Sequence, residues 1–166
     1  MARAARPVDE DFARFVGAHQ HTLQRAAYLL CGDRELARDL TQEALTRTAQ
    51  RWHRVRDGLP LAYARRILYT VNVDRWRRTG PEVLTDTPPE RASSGDDAWA
   101  TSLAIRDALQ QLPPRVRAVV VLRYVEDLDV ATTAQTLGIS DGTVKSQTSD
   151  GIRRLRELLT EVRTDA

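Results

Sequence analysis

Two small all-α helical domains, joined by a flexible acidic linker and with a helix-turn-helix in the second, are what three observations in the 166-residue sequence predict. Apolar residues recur at helical spacing on both sides of the chain's middle. A Pro-, Ser- and Gly-containing acidic joint, GPEVLTDTPPERASSGDD at Gly80 to Asp97, interrupts that periodicity without strand-like alternation. A short helix, a glycine turn and a second amphipathic helix then fill Asp129 to Leu155.

The expected domains are residues 9–79 and 98–160, with the linker at 80–97. From Asp9 to Leu30, Phe12, Phe15, Val16, Leu23, Ala26, Ala27 and Leu30 share a helical face, and Cys31-Gly32-Asp33 supplies a stop and a new N-cap. Asp33 opens a second helix with Leu36, Leu40, Ala44 and Leu45 inward. A turn around Asp57-Gly58 follows, and Pro60 suits the first turn of a third helix on which Leu61, Ala64, Ile67, Leu68 and Val71 align. Beyond the linker, Leu103, Leu109 and Leu112 mark a helix stopped by Pro113-Pro114, and Val116 to Val125 makes another. Fully extended, the 18-residue joint reaches ~60 Å at about 3.3 Å per residue, enough to let the two lobes occupy separate sites on one large partner.

The net charge of +2 hides a strong division. Residues 1–80 carry 15 arginines and 9 acids, residues 81–99 carry one arginine and 5 acids, and residues 100–166 balance 9 bases with 9 acids. A basic lobe, an acidic thread and a neutral lobe imply different tasks. Apolar runs such as Ala118 to Leu122 fall far short of the ~20 residues that span a bilayer, so no membrane insertion is expected. No secretory signal is visible, which makes a cytoplasmic protein the expectation.

In the second lobe, DVATTAQTLGISDGTVKSQTSDGIRRL places small Ala134 in a first helix, Gly138 at a turn, Ser140 as N-cap and Val144 inside the next helix. Val144, Thr148, Ile152, Leu155 and Leu159 fall in one sector of that helix. The opposite face offers Thr143, Ser146, Asp150 and Arg153, flanked by Lys145 and Ser149. Short hydroxyls suit base edges and Lys145 and Arg153 suit phosphates; the competing reading is an ordinary solvated face. Asp150 opposes the DNA reading, because an acid on that face must accept from a cytosine amino group or repel phosphate.

From Arg51 to Arg78 the first lobe concentrates eight arginines, together with Trp52, Tyr63, Tyr69 and Trp76. Arginines that track a backbone and aromatic faces that stack on unpaired bases are what single-strand capture requires. Arg66, Tyr69 and Arg77 project away from the apolar face of the third helix, with Asn72 and Trp76 at its edge. Equally open is the reading in which the rings are core and the arginines a solvated surface.

Four stretches, ARDLTQEAL (Ala37 to Leu45), PLAYARRILYTVNVDRWRR (Pro60 to Arg78), ALQQLPPRVRAVVVLRYVEDLD (Ala108 to Asp129) and LGISDGTVKSQ (Leu137 to Gln147), together resemble the extracytoplasmic function, or group four, sigma factors of bacterial RNA polymerase. The resemblance covers roughly residues 9–160. It implies a promoter-specificity subunit whose partners are core RNA polymerase, promoter DNA and an anti-sigma factor. Asp39, Gln42 and Glu43, with Leu36 and Leu40, look like the surface that docks on the polymerase clamp. The turn from Trp52 to Pro60, including Arg54 and Arg56, resembles the loop that captures a flipped base of the minus-ten element; Asn72, Arg75, Trp76 and Arg77 match the adjoining helix, to which Arg66 and Tyr69 add. Thr143, Lys145, Ser146, Ser149 and Arg153 lie where such proteins read the minus-thirty-five element. The acidic linker looks like the segment threaded through the polymerase active-site and RNA-exit region.

The chain departs from the family's pattern in two places. Thr133 stands where an acid usually precedes the small helix-turn-helix residue, and Asp150-Gly151 stands where Arg-Ala is usual. A glycine inside a helix costs up to ~1 kcal/mol relative to alanine, so a weakened or re-tuned upstream contact is expected.

Catalytic, cofactor and metal roles find no residues to carry them. His19 and His21, at i and i+2, face different sides of a helix, and neither they nor His53 has a Cys or paired acid to complete a site. Glu35, Asp39 and Glu43 share a face with Arg38, Arg34 and Arg47 nearby, which fits a solvated or partner-binding surface better than acid-base chemistry. The single cysteine, Cys31, reads as a small core hydrophobe. Two rival functions stay open: a stand-alone helix-turn-helix regulator, and a helical adaptor or decayed sigma factor that holds a regulatory partner.

Overall fold

Capping residues decide where each helix begins and ends. The structure, a computed structural model, describes residues 10–79 and 96–164, without the side chains of 96–102 and 162–164. Helix α1 (Glu10–Cys31) ends at Gly32, whose φ of +74° favours glycine, and the Asp33 carboxylate starts α2 (Arg34–Gln50) by accepting from the Leu36 N–H at 2.7 Å. One turn, α3 (Trp52–Val55), precedes α4 (Pro60–Thr79). The sequence predicts three helices in this lobe; the fourth, α3, is too short to show a period.

In the second lobe, α5 (Asp96–Gln110) is followed by α6 (Pro114–Val120), which has proline in its first turn. The chain then widens into a π-helical turn at Val121–Val125. Asp129 caps α7 (Val130–Leu137) by accepting from the Thr132 N–H at 2.7 Å, a bond that also holds its carboxyl below the ordinary range. Gly138, at φ +67°, stops α7, and Ser140 starts α8 (Asp141–Thr164) by accepting from the Thr143 N–H at 3.1 Å. The expected linker lies outside the described residues except for Asp96 and Asp97, which already belong to α5.

Each lobe packs the residues its periodicity selects. Leu23, Ala26, Ala27 and Leu30 of α1 meet Ala37, Leu40, Ala44 and Leu45 of α2 and Ala64 and Leu68 of α4. Val119, Ala134 and Val144 join α6, α7 and α8.

The lobes do not stand apart in this structure. Leu109, Leu112, Ala118, Val120, Val121 and Leu122 belong to the same buried cluster as Leu30, Leu45 and Tyr69, so one core crosses both lobes. Its polar fastening is the C-terminus of α1, whose last carbonyls have no partner within their own helix. Gln110 donates to the Leu29 carbonyl at 3.0 Å, and Arg117 donates to the Leu30 carbonyl as well as to the carbonyls of Leu109 at 2.7 Å and Leu112 at 3.0 Å. Burial lowers the Arg117 guanidinium to about 10, which leaves it charged at neutral pH. A Cβ at Gly32 would approach the Gln110 side chain to 2.8 Å, so the glycine serves both the turn and the seam.

Candidate nucleic-acid interface

Helix α8 separates its supporting face from its open one. Val144 and Gly151 are buried and Ile152 and Leu155 pack against the core, while Lys145, Ser146, Ser149 and Arg153 are exposed and Thr143 is half-buried. Ser140 shares a hydroxyl contact with Thr143 at 2.8 Å, which fixes the first turn. Arg153 lies 3.5 Å from both Asp150 and Glu157, and all three side chains are well solvated, so that network is loose enough to exchange for phosphate. Every sequence-predicted residue of this group therefore falls on or beside one accessible face. Tyr124, 60% exposed, lines a shallow groove with Thr148, Ile152 and Arg156 alongside it.

Helix α4 gives a more divided result. Arg66, Trp76 and Arg77 are exposed and Arg75 is half-buried; Arg54 and Arg56 are exposed beside the α3–α4 turn. Three other expected contacts are buried in this structure. Trp52 is 8% exposed, with its ring centroid 5.1 Å from that of Phe12 and 5.2 Å from that of Phe15. This aromatic cluster closes the end of the first lobe, so Trp52 is core. Tyr69 and Asn72 are buried as well, because α6 and α7 lie against α4 on the side that the first lobe alone would leave open.

The side chains that sequence reasoning missed stand at that junction. Arg65 forms an ion pair with Glu126, which follows the π-helical turn; the Arg65 side chain is 16% exposed and that of Glu126 1%. Tyr69 is raised well above its ordinary value by burial and the Glu126 charge, and Glu126 itself is raised by burial against the opposing pull of Arg65. Partners separated by some sixty residues of sequence leave no local signal. Leu59, 78% exposed at the tip of the α3–α4 turn, was legible as an apolar residue between Gly58 and Pro60 but was not singled out.

On α2 the outward face carries Asp39 and Gln42, with Glu43 half-buried and bonded to Arg47 at 2.6 Å. Leu40 is 3% exposed and Leu36 packs against the core, so these two expected docking residues support the surface from beneath.

Sigma-70 region 2 matches residues 15–82, and sigma-70 region 4 matches residues 102–155. Among characterised proteins, the chain is 40% identical over 161 residues to the RNA polymerase sigma-E factor of Streptomyces coelicolor, covering 94% of this chain and 90% of that one. It is 34% identical over 154 residues to the ECF RNA polymerase sigma factor SigL of Mycobacterium tuberculosis, covering 87% and 86%. This chain belongs to the sigma-70 family, as an ECF sigma factor. The fold agrees: the sigma factor RpoE in complex with the anti-sigma factor NepR from Bartonella quintana superposes with a TM-score of 0.76 at 23% identity, covering 92% of this chain and 98% of that one. CnrH in complex with the cytosolic domain of CnrY gives 0.65 at 22% identity, covering 90% and 88%.

The departure at Gly151 acquires a physical reason in this sigma factor. A Cβ there would lie 2.5 Å from Cγ2 of Val120 and 3.0 Å from Cγ1 of Val116, so glycine lets α8 approach α6 more closely than alanine permits. The residue is buried at a helix crossing and lies off the open face of α8. Thr133, at the other departure, is fully buried, where an ionised acid would need a partner. Among the described residues of the sigma factor no helix is long and apolar enough to cross a membrane, and no group of three His, Cys, Asp or Glu could hold a metal ion.

Proposed function

We propose that this sigma factor divides promoter recognition between its two lobes within a polymerase holoenzyme. Helix α4, through Arg66, Arg75, Trp76 and Arg77, and the α3–α4 turn, through Arg54 and Arg56, take up the melted minus-ten strand. The face of α8 with Thr143, Lys145, Ser146, Ser149 and Arg153 anchors the minus-thirty-five duplex. Asp39, Gln42 and Glu43 on α2 dock on core polymerase. The protein performs no chemistry of its own and works in the cytoplasm; binding energy spent on an extruded base favours the open strand.

One observation carries this reading: two accessible, phosphate-compatible helix faces occur in the regions matched by sigma-70 regions 2 and 4. An anti-sigma factor as regulatory partner is supported by the structural relative RpoE, which stands in complex with the anti-sigma factor NepR.

Reconstituted transcription with purified core polymerase and a promoter library tests the reading. Initiation from a defined subset of promoters is expected, and absence of both initiation and co-purification with core would overturn it in favour of a stand-alone regulator or an adaptor. Within that assay, Trp76→Ala or Arg77→Ala is expected to reduce open-complex formation more than duplex binding. Equal loss of both would mean that α4 only holds phosphates.

A further inference from the structure

Arg65, Tyr69, Asn72 and Trp76 recur at i, i+4, i+7 and i+11, one stripe along α4. Trp76 at its far end is 43% exposed, whereas Tyr69 and Asn72 are buried and Arg65 nearly so. The partner that closes over Arg65 is the Glu126 carboxylate of the second lobe. Its position is set by the π-helical turn: the Glu126 N–H donates to the Val121 carbonyl at 3.1 Å, Arg123 donates to the Leu128 carbonyl, and Asp127 takes a left-handed φ of 52°. The pair is poorly provided for. Among the described residues, neither the Tyr69 hydroxyl beside it nor Oε1 of Glu126 has a hydrogen-bond partner. Buried ion pairs with unfilled hydrogen-bonding capacity are weak contributors to stability, and replacing one by apolar residues of similar size is often neutral or stabilising.

A carboxylate on a guanidinium offers the same planar, charge-assisted geometry as a phosphate. Arg65 neighbours exposed Arg66 on the helix that carries Trp76 and Arg77. We propose that Arg65 is a further nucleic-acid phosphate contact of α4, and that Glu126 occupies it in the closed chain, so that single-stranded DNA and the second lobe compete for one guanidinium. The inference rests on the reading of α4 as a strand-binding helix.

The test uses the full chain, a fluorescein-labelled mixed-sequence 20-nucleotide single strand, and anisotropy titrations over a range of salt. Glu126→Gln is expected to expand the particle in small-angle scattering, to tighten binding at least five-fold, and to steepen the slope of log K against log salt by about 0.7, the increment for one added phosphate contact on a single strand. Adding Arg65→Gln to that variant is expected to remove both gains. Unchanged affinity and slope in Glu126→Gln would overturn the proposal, as would a double variant that binds as tightly as Glu126→Gln. If Glu126→Gln does not fold by circular dichroism, the exchanged chain, Arg65→Glu with Glu126→Arg, decides: it keeps the pair but moves the guanidinium off α4, so it should bind the strand more weakly than wild type, and equal binding refutes the assignment. Arg77→Ala separates the two levels. In the Glu126→Gln chain, loss of binding on adding Arg77→Ala but none on adding Arg65→Gln removes Arg65 and leaves the α4 reading standing; no loss with either removes both.

Discussion

Helices α4 and α8 are both amphipathic and both carry predicted DNA contacts, yet the structure treats them differently. The back of α8 rests on α6 and α7 and its front meets solvent, so the face proposed to read DNA is formed and open. Helix α4 has three faces: one on α1 and α2, one against α6 and α7, and one free. Of the contacts expected on it, Arg66, Trp76, Arg77 and, in part, Arg75 remain available. A helix supported from one side is ready to read; a helix clasped from two sides exposes its full surface only when the lobes part.

Arg117→Ala strikes that contrast hardest, since it deprives carbonyls at the seam of a charged donor. A loss of about 3 kcal/mol in urea unfolding is expected, with the two lobes farther apart in solution scattering. A loss below about 1 kcal/mol would show that the apolar seam alone clasps α4. Gly151→Ala tests the other side, the support of α8. Forcing a Cβ against Val120 should cost about 2 kcal/mol and weaken duplex binding, and Val120→Ala in the same chain should recover most of it. A neutral or stabilising Gly151→Ala would mean that the crossing adapts freely.

Smaller effects sharpen the comparison. Lys145→Ala should weaken duplex binding several-fold at every sequence and reduce the salt slope by about 0.9, whereas loss confined to particular sequences would give it a base-reading role. Cys31 reports on the seam itself. Burial pushes its thiol up to about 11, and its Sγ bonds to the Asp33 carbonyl at 3.2 Å. Alkylation at pH 8 should therefore be at least ten-fold slower than in urea-unfolded chain, and faster in Arg117→Ala. The sign for stability follows. An unfolded thiol ionises near ~8.5, so the unfolded chain releases its proton first and stability falls as pH rises from there toward the folded value.

Much of the fold was legible because its signals are local. Asp33, Asp129 and Ser140 cap the helices that the periodicity predicts, and Gly32 and Gly138 take the left-handed backbone at the expected turns. The α8 face was legible for the same reason: its supporting residues lie within its own lobe. The burial of Trp52, Tyr69 and Asn72 was not. A helical wheel separates an apolar from a polar side, but it carries no information on a second lobe that arrives across a linker, and an amphipathic ring serves a core or a base equally well.

Composition, periodicity and capping by themselves determined the main helices and the division into a basic and a neutral lobe, and four stretches of sequence carried the resemblance to the family. Only the tertiary structure decided that the lobes share a core, that Gly151 is a packing residue, and that Arg65 meets Glu126. Those outcomes depend on side chains brought together from distant parts of the chain, and close packing and buried charge act through space, where sequence spacing leaves no trace.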